Sequence, residues 1–536
     1  LVQAGALAFF GALFESAFRA IEADIPRAIY AERSFTWALL ERRPSFLLPA
    51  LLALALAGWS LTAHGRRRLG WSRFDTIGGM RWVVFLILLS LFWPYAAHPY
   101  NHYYDQAHLW DRGLLLLFMV LSLRSPLWIP FFALQVVTSR VQTYHPVSSI
   151  IRILDELPFR TLGAVAGFAL WNLLVAELSA WRAGRCPAWL RLPAASIEPR
   201  ALVSSILCLL GSYYAYAAIG KFELGAKLSD WALHSHLENL VVAAYLNGWH
   251  ASWPEARVLA LADHMRSLSL PIALATLALE LGMALVLVHR WLTLPLLASA
   301  IVMHLSIFVL TGVFFWTWVL VDACLAVWLL WHWRSAELVR IYSPTNAVLS
   351  VALIFALAFL AGQNRFAWWN TKWTTALELD ALGRDGKLYR VDYADFSPYL
   401  LVTYWKARGA SVPGLYGATP HQGTMQRIES ADPRTLKSLC ESRWASGGGV
   451  VPRNQPVDEF LQRFFRNRNR NLARGIPALP PPPTLRMRQP RGENPYRGQT
   501  PIVEVRVRAV ETYYTGSSLV PLCQAVVRTI AIPPLD

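Results

Sequence analysis

The sequence has 536 residues, 55% of them hydrophobic and 16% charged, with 24 tryptophans and a net charge of +16. Soluble globular chains average about 45–50% apolar and about 25% charged residues, so the composition, with a mean hydropathy of +0.34, excludes that class and points to a polytopic membrane protein. The positive charge also suits nucleic acid, but zinc-finger spacing, an RNP motif and a glycine-rich phosphate loop are all missing. Basic loops in contact with membrane lipids account for it instead.

The chain opens on "LVQAGALAFFGALF" without an initiator methionine. This reads as the remainder of a spanning helix or signal anchor at a trimmed N-terminus. Ten nearly uncharged apolar windows follow, at 46–63, 80–97, 105–123, 126–143, 161–181, 203–220, 269–289, 292–311, 313–331 and 345–361. Each approaches the length that crosses a hydrocarbon core of roughly 30 Å. Arg124, Ser125 and Pro126 separate the third from the fourth and suit a tight hairpin turn.

Arginine-rich connections set the orientation. "HGRRRLGWSR" and "RAGRCPAWLRLPAASIEPR", with "HRW" and "WHWRSAELVR" later, are consistent with one another when all are cytoplasmic. Segments 98–104, 144–160 and 221–268 then lie outside, as does everything after about 362.

That tail, 363–536, reads as a separate soluble region. "TALELDALGRDGKLYRVDYADF" alternates apolar and polar residues about Asp385-Gly386, the pattern of a β-hairpin. "TPIVEVRVRAVETYY" alternates again and predicts a strand. "FLQRFFRNRNRNLARG" is a basic helical stretch suited to a solvated or headgroup-facing surface, and a stiff proline-rich linker occupies 476–490. Five cysteines occur without a CxxC pair, so no metal site is expected. Cys440 and Cys523 both fall in the tail and can form a disulfide if it is extracytoplasmic.

Ionisable residues inside spans are costly and mark function or pairing. Here they are Glu177, Glu280, His304 and Asp322, with Lys221 where the run from Ala201 ends. Lys221 and Lys227 are the only lysines before Lys372. A desolvated lysine can lose its proton, whereas arginine cannot, so Lys221 is a candidate base; the plain alternative is a cation snorkelling to the interface. Glu280 is a candidate partner for His304. His98, His102, His108 and His145 lie in outer segments, and Pro99 argues against a helix presenting His98 and His102 together.

The order of a helix ending in small residues then Lys221, an outer segment with Trp231, "LELGMALVLVHR", and "MHLSIFVLTGVFFWTWVLVDACLAVW" resembles the HTTM family, the membrane domain shared with vitamin K-dependent γ-carboxylase. The likeness is strongest over about 200–335 and weaker from about 80. The hairpin "ELDALGRDGKLYRVDY" resembles the start of the carboxylase's extracytoplasmic domain, and residues 1–75 look like an addition. The resemblance implies a reduced quinone cofactor, of menaquinone or vitamin K type, which Lys221 deprotonates. Oxygenation then yields a strong base that takes a γ-proton from a peptide glutamate before carbon dioxide adds. It also implies a histidine partner. Asn101-His102 matches the family's letters, and His145, the preferred match, fits its helix count. Glu280 and His304 would face the cofactor. Phe222 after Lys221, and Ala218 where the family has glycine, depart from the pattern.

The expected protein is therefore an all-α transmembrane bundle of about ten helices, followed by a smaller β-containing extracytoplasmic domain. Its parts are an N-terminal extension over 1–75, an HTTM-like domain over 76–362, and the tail over 363–536. A quinone-linked carboxylase is the leading expectation. A non-catalytic membrane subunit whose tail docks another protein, or a maturation or export factor for a secreted peptide, are the alternatives.

Overall fold

The computed structural model describes residues 2–24, 34–42, 45, 47–75, 77–97, 109–144, 151–185, 197–360, 367–396, 418–419, 421–445, 455–476 and 494–535. Helices dominate up to residue 360. The bundle begins with α1 (Val2–Asp24), α2 (Leu47–Trp59), α3 (Met80–Ala97), α4 (Leu109–Ser122), α5 (Ile129–Tyr144), α6 (Ile151–Arg185) and α7 (Pro199–Glu223). The short α8 (Asp230–His234) and α9 (Leu237–Leu246) follow, then α10 (Glu255–Gly282), α11 (Arg290–Thr311), α12 (Trp316–Trp331) and α13 (Pro344–Leu360).

α7 is the central strut. It is apolar around its whole circumference, the pattern of a helix buried on all sides, and 89% of its most apolar window is buried. It packs against α1, α6, α10 and α13, and Pro199 at its first turn supplies a preset φ where no amide donor is needed. α1 reaches α6 through a face of small residues. A Cβ on Gly163 would stand 2.8 Å from the Phe14 Cβ, and one on Gly167 would stand 2.8 Å from the Phe10 ring. These glycines, four apart, let two helices approach as small-xxx-small faces do in membranes.

α10 and α11 have the opposite character, with only 33% and 22% of their apolar windows buried. Leu274 and Leu281 on α10, and Val302 and Val309 on α11, stand exposed. A contiguous apolar surface of this kind fits lipid rather than water.

Helix lies over each of the ten apolar windows, but length trims the expected span count. Among the described residues, four helices are long and apolar enough to cross a membrane: Glu156–Val175, Pro199–Glu223, Glu255–Leu285 and Arg290–Thr311. α12 and α13 have 16 and 17 residues, short of the roughly 20 that a bilayer requires. The segment 221–268, read from sequence as outer connection, is largely helix. It holds α8 and α9, and α10 starts well before residue 269. The turn at Arg124–Pro126 is present, with the Ser125 hydroxyl accepting from the Leu127 amide.

Among the described residues the tail has two sheets. β1 (Trp369–Asn370) pairs with β4 (Ala418–Thr419), while β2 (Trp373–Gly383), β3 (Leu388–Val391), β5 (Ile502–Tyr514) and β6 (Leu519–Ala531) form an antiparallel sheet ordered β3-β2-β5-β6. The β2–β3 hairpin turns at Asp385-Gly386 as its pattern predicts, with Gly386 at φ +78°. β6 escaped the sequence reading because its alternation is broken. Pro521 sits opposite Thr512 at a register shift, where a missing amide donor is tolerated. Three helices complete the tail: α14 (Gln422–Ser430), α15 (Pro433–Ala445) and α16 (Gln455–Ala473). α16 is the basic stretch, and only part of it is solvated. Phe460, Leu461, Phe464 and Phe465 bury one face in the core shared with Val505 and Val507 of β5. Arg468 is drawn in too, 4.5 Å over the Tyr496 ring and 3.1 Å from Asp395. The proline-rich linker lies almost wholly outside the described residues.

Cys440 of α15 and Cys523 of β6 are disulfide-bonded, with Cα atoms 6.0 Å apart and a sequence separation of 83. Closing a loop of that length restricts the unfolded chain strongly. Replacing both cysteines by serine is expected to destabilise the tail by about 2–5 kcal/mol. Thermal unfolding of the full chain would read this as an earlier tail transition, and an unchanged transition would show the bond to be dispensable.

Candidate functional site

α7 carries Tyr213, Tyr214 and Lys221. Tyr214 and Lys221 are seven apart, so they share a face about 10 Å apart along the axis. Near the C-terminal end of α7, Lys221 Nζ lies 2.6 Å from Glu280 Oε1 of α10, and each side chain is only 6% exposed. The Trp231 ring stands 5.1 Å from the ammonium, in cation–π range. Glu280 Oε2 is buried and has no hydrogen-bond partner among the described residues.

Two turns deeper, the Tyr214 hydroxyl lies 2.7 Å from His304 Nε2 and donates to Asp322 Oδ2 at 3.4 Å. This group joins α7, α11 and α12. Phe315 and Trp318 pack their rings against His304. His304 Nδ1 and Asp322 Oδ1 have no partner among the described residues.

Arg160 bonds Glu156 at 3.1 Å and lies 5.0 Å over the Tyr213 ring. Arg140 lies 3.9 Å over Phe159. Both arginines are 1% exposed. Sequence reading passed over them, and over the tyrosines. A signal existed, because Arg140 falls inside the apolar window 126–143 where a charge is costly.

The expected partner of His304 is corrected. Glu280 bonds Lys221, and the histidine bonds Tyr214. Glu280 falls three residues after Leu277 and seven after Ala273, both buried positions of α10, and this face meets α7. The lysine's carboxylate thus comes from a neighbouring helix. Lys221, Glu280, His304 and Asp322 all belong to the α7 surroundings. His102, His145 and the side chain of Glu177 lie outside the described residues, and so do His98 and His108.

The tail closes over the Lys221 end of α7. Trp231, Ala218 and Leu277 share one apolar cluster with Trp369 and Met425. The Trp231 indole donates to the Trp368 carbonyl at 3.2 Å. Beside it, Asn239 bonds Glu429 at 3.2 Å, Lys372 bonds the same carboxylate at 2.8 Å, and Arg266 donates to the Gly516 carbonyl at 2.7 Å. His236 Nδ1 lies 3.1 Å from Glu238 Oε1, and the Ser269 hydroxyl donates to Oε2.

His236 and Glu238 are outside the four membrane-length helices. The Glu238 bond holds His236 above its ordinary value of 6.5, against burial. Burial pushes the Glu238 carboxyl up, but bonds from His236, its own amide and Ser269 outweigh it and hold the group below 4.5. A raised histidine contributes fully below 6.5 and loses its contribution as pH climbs through the folded-state value, whereas the lowered Glu238 contributes above 4.5 and loses it as pH falls through its own.

No protein-family model matches the chain, and no curated protein and no solved structure does either. The apolar helices fit a membrane protein, and the polar groups gathered around α7 are its candidate site.

Two outcomes are expected. Lys221→Met or Glu280→Leu alone should destabilise the bundle by about 3–5 kcal/mol by stranding a buried charge, and the double replacement should recover most of that loss. Thermal unfolding of the three variants checks this. Raising the pH from about 6 to about 9 should lower the unfolding temperature through loss of the His236 contribution, and His236→Gln should remove that slope.

Proposed function

We propose that this chain is a multi-pass membrane protein with an extracytoplasmic tail, and that its Lys221–Glu280 pair is the base of a quinone-linked carboxylation of a secreted peptide. One observation carries the reading: a buried lysine and carboxylate at the C-terminal end of the central helix, with one carboxylate oxygen lacking a hydrogen-bond partner among the described residues. The Cys440–Cys523 disulfide supports an oxidising compartment for the tail. The exposed apolar surfaces of α10 and α11 support contact with lipid.

A reduced quinone would supply an acidic hydroxyl and, with oxygen, the driving force for forming a stronger base. The protein's part is to receive and hold a proton. In a dry site an ammonium–carboxylate pair can exchange for a neutral amine and acid, because both charges lose solvation together. Trp231 keeps the ammonium over its ring face. Tyr214, His304 and Asp322 line the deeper part of the same helix. Lysine suits this duty because arginine holds its proton.

A second reading draws on the same 2.6 Å bond. In it Lys221–Glu280 is a clamp between α7 and α10 in a non-catalytic membrane subunit, whose tail docks another protein.

Membranes containing the full chain, supplied with reduced menaquinone, a glutamate-rich peptide library and labelled carbon dioxide, separate the two. Wild type should label peptide, and the Lys221→Met/Glu280→Leu chain should not. Lys221→Arg should lose at least about 100-fold, the scale of a missing general base. Absence of label in every case, with inserted and folded protein, would favour the clamp.

A further inference from the structure

α14 has nine residues, fewer than the roughly 12–15 that an isolated helix needs in water, so packing from outside must hold it. Two packings do. Met425, 3% exposed, enters the apolar cluster of Ala218, Leu277, Trp231 and Trp369 beside the Lys221–Glu280 pair. Ile428, one turn on and also buried, enters a second cluster built on the Cys440–Cys523 disulfide, with Trp373, Leu436, Tyr513 and Leu522. Polar bonds follow the same division. Glu429 accepts from Asn239 of α9 at 3.2 Å and pairs with Lys372 at 2.8 Å, while the Ile428 carbonyl accepts from the Tyr513 hydroxyl at 3.3 Å. α14 thus bridges the disulfide and the apolar cover of the buried pair.

The disulfide is placed to control that bridge. Only Ala431 and Asp432 separate α14 from α15, which carries Cys440, and the bond ties α15 to β6. Cys440 is fully buried, whereas Cys523 is half-buried, so the Cys523 sulfur is the one open to attack. We propose that α14 is a lid over the Lys221–Glu280 pair, latched by the Cys440–Cys523 disulfide and released when a dithiol reduces it. The assignment rests on the reading of that pair as a site and not on quinone chemistry. In the release a thiolate of the dithiol attacks Cys523 Sγ, the S–S bond breaks, and Cys440 leaves as a thiolate that takes up a proton. The second thiol of the reductant then loses its proton and displaces Cys523 from the mixed disulfide, which leaves two thiols on the chain and a disulfide on the reductant. α15 is then free of the sheet, and α14 loses the fixed side of its packing. Met425 withdraws, and water reaches Trp231 and the ammonium beside it.

The test uses the full chain in nanodiscs, oxidised or treated with dithiothreitol, and the water-soluble amine reagent sulfosuccinimidyl acetate, with modified lysines located by peptide mass spectrometry. Lys227, an exposed residue near Lys221 in sequence, should be acetylated equally in both forms. Lys221 should be protected in the oxidised chain and modified about 10-fold faster or more after reduction, a lower bound for losing a cross-link across so long a loop. Cys440→Ser/Cys523→Ser should behave as the reduced chain and ignore dithiothreitol. Met425→Ala should raise Lys221 modification with the disulfide intact. Amide exchange read in parallel should quicken over α14 and α15 on reduction and stay slow over β2 and β5. Equal Lys221 modification before and after reduction would overturn the lid. Loss of protection in β2 and β5 would overturn it too, because the bond would then hold the whole tail together rather than latch one helix. Neither readout depends on carbon dioxide. A chain that gates Lys221 but labels no peptide keeps the lid and loses the quinone reading, and the converse result keeps the quinone reading alone.

Discussion

Lys221 and Glu280 are withdrawn from water and held in contact at 2.6 Å. The cost of stripping water from two charges is several kcal/mol per ion, and it is offset only when the partners meet in good geometry. That requirement fixes α10 against the C-terminal end of α7. Trp231 can then lie over the ammonium, which places α8, and the Trp231 indole in turn receives the tail at the Trp368 carbonyl. The central helix, α8, α10 and the tail therefore meet around one buried pair.

The rest of the polar interior follows the same helix. Tyr214 gathers His304 and Asp322, and Tyr213 lies under Arg160, so α7 supplies a hydroxyl or ring for each deeper group. These groups draw α6, α11 and α12 towards α7. α10 and α11 meet this interior along narrow faces and leave most of their surface apolar and exposed. Polar residues inside and apolar residues outside invert the arrangement of a soluble bundle, as lipid solvent demands.

The tail divides by what it touches. β2, β3, β5 and β6 share a core with α16, and the disulfide fastens α15 to the sheet edge. β1 and α14 instead pack Trp369 and Met425 into the cluster beside Lys221. A boundary near residue 362, sensible from the change in composition, thus runs through a single packed apolar cluster.

Sequence alone determined what period and solvent dictate. Long apolar windows announced the helices, strict alternation about Asp385-Gly386 announced the β2–β3 hairpin, and Lys221 marked the last turn of α7. Those signals are local, carried by neighbouring residues in the chain. The partners were not local. Glu280 is 59 residues from Lys221, His304 is 90 from Tyr214, and Trp368 is 137 from Trp231. Which carboxylate meets the lysine depends on the rotation of α10 about its axis, and that rotation is set by packing against α7. Likewise α16 read as a basic surface until β5 supplied an apolar face to cover its phenylalanines. Side-chain chemistry could be read in order along the chain, but only tertiary packing decided which groups were brought together out of water.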